Sequence, residues 1–341
     1  MLRHGFFFMH QVIHQNIASK LLEAYDGQEP LANYLKKYFA ANKKHGSRDR
    51  KSISAFCYAS FREHFKSFPL EKYISKQIDI PTFIASHKVQ PLLFIRIRPW
   101  QKEKVIQKLH AAQIQFKQES ENCLSFANST SLQNILELNK EAVIQDRNSQ
   151  ALSSLLKLVP TSIDNVINVW DACAASGGKS ILMYDFMDNI KIHVTDVRDS
   201  ILHNCEKRLQ EAGIRPASVQ VVDLTFPFDI KKQFDFVFAD VPCSGSGTWG
   251  RTPEQLNYFK EPQLDKYIKL QGQIVQNLIP AIKVNGHLLF VTCSVYAKEN
   301  EQNVAAIIAT GKFKLVNEQY FEGYKQQADT LFGALLQKIA D

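Results

Sequence analysis

The apolar positions of this chain change period along its length. Over residues 11–66 they recur every three to four residues: Ile13, Ile17, Leu21 and Leu22, then Leu31, Tyr34, Leu35, Tyr38 and Phe39. That spacing predicts helices, and Gly27 and Pro30 separate the first pair. A polar stretch at 42–51 leads into a further helix carrying Ile53, Phe56, Cys57, Ala59 and Phe61. From about Pro91 the pattern shortens: 92–98 reads as a strand, 103–112 as a helix and 114–116 as another strand, a small α+β piece. Residues 143–150 then lead into a helix through Leu158. Beyond it, apolar runs at 166–170, 192–196, 219–222, 234–240 and 287–293 alternate with helical stretches after Gly178 and over 200–212, 263–282 and 299–309. Two weaker strands follow at 313–316 and 331–335. Apolar strands alternating with helices imply an α/β fold with a doubly wound parallel sheet. The expected organisation is a helical region over 1–85, a small α+β connector over 86–142 and a Rossmann-like domain over 143–341.

Charge separates the same pieces. Residues 1–150 hold 22 Lys and Arg against 13 Asp and Glu, whereas 151–341 hold 19 against 21. The whole positive excess lies in the front of the chain, as expected of a polyanion-binding module joined to a near-neutral one. Lys43, Lys44, Arg48, Arg50 and Lys51 crowd one stretch and are the phosphate-contact candidates; the alternative is a loop whose charges face water. No run approaches the roughly 18 apolar residues of a membrane span, and Phe6–Met9 is too short for a signal-peptide core. The expectation is a cytoplasmic protein that binds no membrane. Six cysteines in 341 residues, none spaced C-x-x-C, make neither a disulfide framework nor a zinc ribbon, so no metal site is expected.

In a doubly wound sheet, ligands sit at the carboxyl ends of the strands. The first run ends in Asp171, Ala172, Cys173, Ala174, Ala175, Ser176, Gly177, Gly178, Lys179 and Ser180. Small residues there let the backbone approach a ligand, and the glycines turn the chain into a helix whose N-terminus favours negative charge. A phosphate-binding P-loop would need glycine at Cys173, and no G-x-G-x-x-G is present. A nucleoside-type ligand of another kind remains. Asp196, Asp223 and Asp240 close the next three runs, and Asp196 stands where an acidic residue would meet a ribose diol. Cys243 and Cys293 follow the fourth and fifth runs, flanked by hydroxyl residues, where thiols could be activated as thiolates. Cys57, Cys123 and Cys205 lack that context and read as small buried hydrophobes.

These pieces resemble, in order, the motifs of the Sun/RsmB-like RNA 5-methylcytosine methyltransferases. The resemblance is carried by IQDRNSQ (144–150), DACAASGGKS (171–180), TDV (195–197), Asp223, ADVPCSGSGTWGRTPE (239–254) and VTCSVYAKENEQNV (291–304). It implies a Rossmann-like domain dependent on S-adenosyl-L-methionine, with Cys173, Ala174, Ala175, Ser176, Gly177, Gly178 and Lys179 around the cofactor, Asp196 on its ribose, Asp223 near its adenine and Asp240 beside it. It further implies that Cys293 attacks C6 of cytosine, that Cys243 assists release, that Asp240 meets N3 and the exocyclic amine, and that Arg251 contacts RNA phosphate. The connector would be an RNA-binding piece. The segment SRDRKSISAFCYASFRE (47–63) resembles part of the helical domain similar to antitermination factor NusB, and the region over 1–85 would be a shortened version of it.

The pattern departs from that family at Ser176 and Ser180, at Arg96-Ile97-Arg98 and beside Asp329. Ribosomal RNA is the leading substrate and transfer RNA its rival, and the default assembly is a monomer. A third reading is a non-catalytic RNA-binding or assembly protein that kept the fold. Both thiols and all four aspartates are retained, which argues against it.

Overall fold

The computed structural model describes residues 2–65, 67–161, 163–228 and 232–341, with 2–10 as backbone only. Helices α1 (Leu2–Ala24), α2 (Leu31–Ala41) and α3 (Ser47–His64) pack around Leu31, Leu35, Ile53 and Cys57. The α1–α2 turn passes through Gly27 at φ +74°, where a Cβ would fall 2.2 Å from the ring of Tyr258, more than 200 residues away in sequence. Only glycine serves both demands at that point.

The expected 1–85 unit divides in two. Residues 68–84, which include much of α4 (Ile80–Ser86), do not join the helices before them. Phe68, Ile74, Ile78 and Phe83 pack instead with Trp249, Phe259, Tyr296 and Tyr324. Phe68 stacks on Trp249 with ring centroids 5.1 Å apart, and Ser75 N–H donates to the Val295 carbonyl at 2.9 Å. The aromatic surface of the large domain captures this segment.

The connector holds β1 (Leu93–Ile97), α5 (Lys102–Ala111), β2 (Lys117–Gln118), β3 (Cys123–Phe126) and β4 (Ala142–Ile144), in an antiparallel sheet ordered β2-β3-β1-β4. Two expectations change here. Ile114 and Phe116 pack into the connector core without pairing, and the pairing falls on Lys117 and Gln118. The expected boundary at 142/143 cuts through β4, so the connector runs to Ile144.

Helices α6 (Arg147–Ala151) and α7 (Ser153–Leu156) lead into the large domain. It comprises β5 (Ile167–Asp171), α8 (Gly178–Phe186), β6 (Ile190–Asp196), α9 (Asp199–Glu211), β7 (Ser218–Val221), β8 (Phe234–Asp240), α10 (Gln255–Tyr258), α11 (Glu261–Leu278), β9 (Ile282–Thr292), α12 (Glu301–Ala309), β10 (Phe313–Phe321) and β11 (Leu331–Lys338). The sheet order is β10-β11-β9-β8-β5-β6-β7; β9, β8, β5, β6 and β7 are parallel, and β11 lies antiparallel between β9 and β10. Both faces are covered. Val169, Phe236, Phe238, Leu289 and Val291 fill one layer, and Trp170, Val237, Ala239, Leu288 and Phe290 fill the other. This burial explains why these strands read as continuous apolar runs.

Helix α11 stops at Leu278, short of the expected 282, because Pro280 follows in a tighter turn and has no N–H to extend the ladder. Strand β9 consequently starts at Ile282, and β10 extends to Phe321 as one arm of a full hairpin. Strand order reverses between β5 and β8, which opens a crevice at their carboxyl ends.

The connector is fixed to this domain by a buried ion cluster. Arg96 on β1 and Arg98 just beyond it both reach Asp185 on α8, at 2.5 and 2.8 Å, with Arg96 and Asp185 each 2% exposed. The Arg96–Arg98 pair, where the sequence departs from the family pattern, is thus a clamp between units.

Candidate active site

The loop from β5 into α8 takes its shape from two left-handed residues, Ala175 at φ +46° and Gly177 at φ +81°. Ala175 N–H donates to Asp196 Oδ2 at 2.9 Å, which ties the loop to the end of β6. Ser180 donates to Asp171 Oδ2 at 2.6 Å, so the departure at 180 keeps a hydroxyl where the aspartate needs one. Arg208 bonds both Ser176 oxygens, at 2.8 Å to the hydroxyl. Cys173, Ala174, Gly178 and Lys179 lie on this loop and the first turn of α8. Lys179 reaches across the crevice to Asp240 Oδ2 at 2.6 Å. Burial works against the Lys179 charge, but the Asp240 carboxylate outweighs it and holds the ammonium above the ordinary lysine range.

Asp196 is 5% exposed and also accepts from Arg198, through its backbone N–H and its guanidinium. A ribose diol would take the place of the Arg198 side chain, which is 58% exposed and able to leave. Asp223 stands apart. It lies beyond β7, is exposed, and caps its own turn through the Thr225 N–H and hydroxyl. Asp171 is fully buried, and burial lifts its carboxyl to about 7. Its Oδ1 has no hydrogen-bond partner among the described residues. The carboxylates of Asp196 and Asp240 at the strand ends suit a ligand that carries positive charge or hydrogen-bond donors, as a sulfonium-bearing amino acid nucleoside does. The residues present therefore fit S-adenosyl-L-methionine.

The two thiols meet at the ends of adjacent strands. Cys243 Sγ lies 3.2 Å from Cys293 Sγ, and Cys293 N–H donates to Cys243 Sγ at 3.3 Å. The hydrogen bond with Cys293, with burial behind it, pushes the Cys243 thiol well above its ordinary value.

The backbone around Cys243 is pinned from below. Gln271 on α11 donates to the Pro242 carbonyl at 2.9 Å, and Glu299 accepts the Ser244 N–H at 2.8 Å. The two side chains join each other at 3.0 Å, and both are fully buried. Glu299 also accepts from the Ser244 hydroxyl, and burial raises its carboxyl above the ordinary range. On the Cys293 side, Asn300 donates to the Ser294 carbonyl at 2.8 Å. Gly247 N–H donates to the Cys293 carbonyl at 2.9 Å, and its own carbonyl accepts Thr330 N–H at 2.8 Å. A Cβ at Gly247 would lie 2.0 Å from the Thr330 oxygen, so the loop closes this tightly only with glycine.

Sequence reasoning brought Cys243, Cys293, Asp240, Lys179 and Asp196 to one crevice. It missed Glu299, Gln271 and Asn300, although Glu299 and Asn300 lie inside the 291–304 motif. Arg251 also differs from expectation. Its guanidinium is taken up by Asp329 at 2.8 Å and Asp146 at 2.8 Å, and by the Leu92 carbonyl, so it ties three segments together. Asp146 and Asn148 of the 144–150 stretch are structural in the same way; Asn148 bonds the carbonyls of Phe321 and Asp329.

Sheet order, crevice and paired strand-end loops define a Rossmann-like α/β domain of the kind seen in methyltransferases. The chain belongs to the 16S rRNA methyltransferase RsmB/F family, whose description matches residues 156–335. It is 29% identical over 167 residues to a ribosomal RNA small subunit methyltransferase B from Enterobacter sp. (strain 638), covering 48% of this chain and 38% of that one. It is 27% identical over 214 residues to a protein of the same name from Xanthomonas campestris pv. campestris, covering 58% of this chain and 47% of the relative. The chain thus spans less than half the length of these relatives. Among solved structures, NSun6 from Pyrococcus horikoshii with SFG shares the fold with a TM-score of 0.68 at 14% identity, over 82% of this chain and 98% of that one. Among the described residues, no helix is long and apolar enough to cross a membrane.

Proposed function

We propose that this chain is an RNA cytosine-5 methyltransferase that acts on ribosomal RNA and uses S-adenosyl-L-methionine. The observation that carries the reading is the contact of Cys243 and Cys293, 3.2 Å apart, beside the Lys179–Asp240 pair. A scaffold needs neither thiol, whereas cytosine C5, a poor nucleophile, needs a covalent partner at C6. The relatives named for the small-subunit ribosomal RNA support the substrate class.

In this mechanism the Cys293 thiolate adds to C6, and the electron pair of the C5–C6 bond makes C5 nucleophilic. S-Adenosyl-L-methionine supplies the methyl group as an electrophile. Asp240, paired with Lys179 at 2.6 Å, accepts from the cytosine exocyclic amine and orients the ring. After methylation the C5 proton is lost to water, its electron pair re-forms the C5–C6 double bond and Cys293 is expelled as the thiolate. Cys243, 3.2 Å from Cys293, assists release by hydrogen-bonding to the departing sulfur. The target base must leave its stack to reach Cys293.

The test is covalent trapping with wild type, Cys243→Ala and Cys293→Ala. Each is incubated with total RNA from a strain lacking the gene and methyl-labelled S-adenosyl-L-methionine, then run on a denaturing gel. Cys243→Ala should accumulate a protein–RNA adduct and Cys293→Ala none, with label in 5-methylcytosine for wild type. Absence of both adduct and labelled cytosine overturns the reading.

A further inference from the structure

A groove of about 1140 Å³ runs between α2, α3 and the segment after α4 and reaches Arg251. It exceeds the roughly 300–1,000 Å³ of a small-molecule pocket. Among the described residues six basic side chains line it against one acid, Glu63, and of the six Arg251 is already paired with Asp146 and Asp329. Lys36 comes from α2, Arg50 and Lys51 from α3, and Lys88 from beyond α4, and all four are exposed. Lys36, Lys51 and Lys88 have no ion-pair partner among the described residues, whereas the neighbouring Lys37 is paired with Glu29 at 2.8 Å. In the wall below, Arg62 is 7% exposed, donates to the Gly250 carbonyl at 2.9 Å and has no hydrogen-bonded carboxylate among the described residues. Tyr58 lies among these charges, half-buried, with the Arg62 guanidinium 5.9 Å from its ring centre. At its Arg251 end the groove lies four residues from Gly247, whose N–H holds the Cys293 carbonyl.

We infer that this groove is the track of a single-stranded RNA segment flanking the target base. Lys36, Lys51 and Lys88 meet phosphates and Tyr58 offers a stacking face. The inference rests on the RNA reading proposed above. Unpaired cations spaced along a trough, interleaved with an aromatic ring, are the chemistry of sequence-tolerant strand binding; an acidic peptide would have no use for the ring. Of the five basic residues that the sequence crowds at 43–51, only Arg50 and Lys51 face this trough; Lys43, Lys44 and Arg48 are exposed elsewhere.

Two triple variants of the full chain carry the same charge change: Lys36→Gln/Lys51→Gln/Lys88→Gln in the groove and Lys43→Gln/Lys44→Gln/Arg48→Gln outside it. The probe is fluorescein-labelled 16S ribosomal RNA transcribed in vitro, titrated at several salt concentrations. Each lost phosphate contact on a single strand lowers the slope of log K against log salt by about 0.7. The groove variant should therefore lose about 2 from the slope and the outer variant nothing, and polyglutamate should fail to displace the RNA. Equal slopes in the two variants, an unchanged slope in the groove variant, or displacement by polyglutamate at equal charge would overturn the inference. Methyl transfer by wild type is measured alongside. Slope loss in the groove variant without wild-type methylation leaves the groove standing and removes the catalytic reading; methylation with an unchanged slope does the reverse.

Discussion

Glu299 carries no chemistry in the proposed mechanism, yet Cys243 depends on it. It accepts the Ser244 N–H at 2.8 Å and the Gln271 amide at 3.0 Å, and Gln271 in turn holds the Pro242 carbonyl. Glu299→Ala takes the acceptor from the Ser244 N–H, the Ser244 hydroxyl and the Gln271 amide, and each N–H left unpaired costs about 1–3 kcal/mol. The variant should lose about 3–5 kcal/mol in urea unfolding. Freed on both sides, Cys243 shifts against Cys293, and a displacement on the order of 1 Å costs about 100-fold in rate. The loss should fall on kcat with KM little changed, measured as labelled methyl transfer to RNA. Glu299→Gln is the control. Its carbonyl oxygen can accept the same two N–H groups, its amide can donate to the Ser244 hydroxyl, and it removes a carboxyl that burial has pushed above its ordinary range. It should stay within about 2 kcal/mol of wild type and keep most of the activity. The positioning argument fails if Glu299→Ala retains kcat within threefold, or if the glutamine variant is as damaged as the alanine one.

Two further outcomes follow from buried carboxylates. Asp171 titrates at about 7 in the folded chain against an ordinary 3.8, so folding favours its protonated form. The stability this gives is complete below the unfolded value and is lost as pH rises to about 7, about 3 kcal/mol between pH 5 and pH 8. Asp171→Asn should abolish that loss in urea unfolding at the two pH values; equal losses in both proteins would refute it. Asp185→Ala removes the shared partner of Arg96 and Arg98 and leaves a guanidinium that is 2% exposed without its carboxylate. A broken buried pair costs about 3–5 kcal/mol, so a drop below about 1 kcal/mol in the same assay would show that the clamp does not hold the connector.

The sheet was legible because its strands are buried on both faces, so their apolar runs stand out against the helices between them. The strand-end residues were legible for the same reason, since a strand's end is visible wherever its run stops. What escaped the sequence was contact across distance. Phe68 and Trp249 stack although 181 positions separate them, and nothing local marks either as a partner. Residues 68–84 therefore read as an extension of the helices before them. Glu299 escaped because a glutamate among Lys298, Asn300 and Glu301 looks like a solvated face; only the fold turns it inward to Ser244. Arg251 misled in the opposite sense, since an arginine beside a reactive loop suggests phosphate until Asp146 and Asp329 are seen around it.

The Gly247 junction has a kinetic consequence. One short stretch, residues 243–254, is held at once by Leu31, Phe68, Glu299 and Thr330, partners drawn from almost the whole length of the chain. Contacts of such long sequence separation form late, after the loops between them have been closed. The loop that carries Cys243 is thus shaped by contacts from nearly every part of the chain, and its position is a property of the whole fold rather than of any single element.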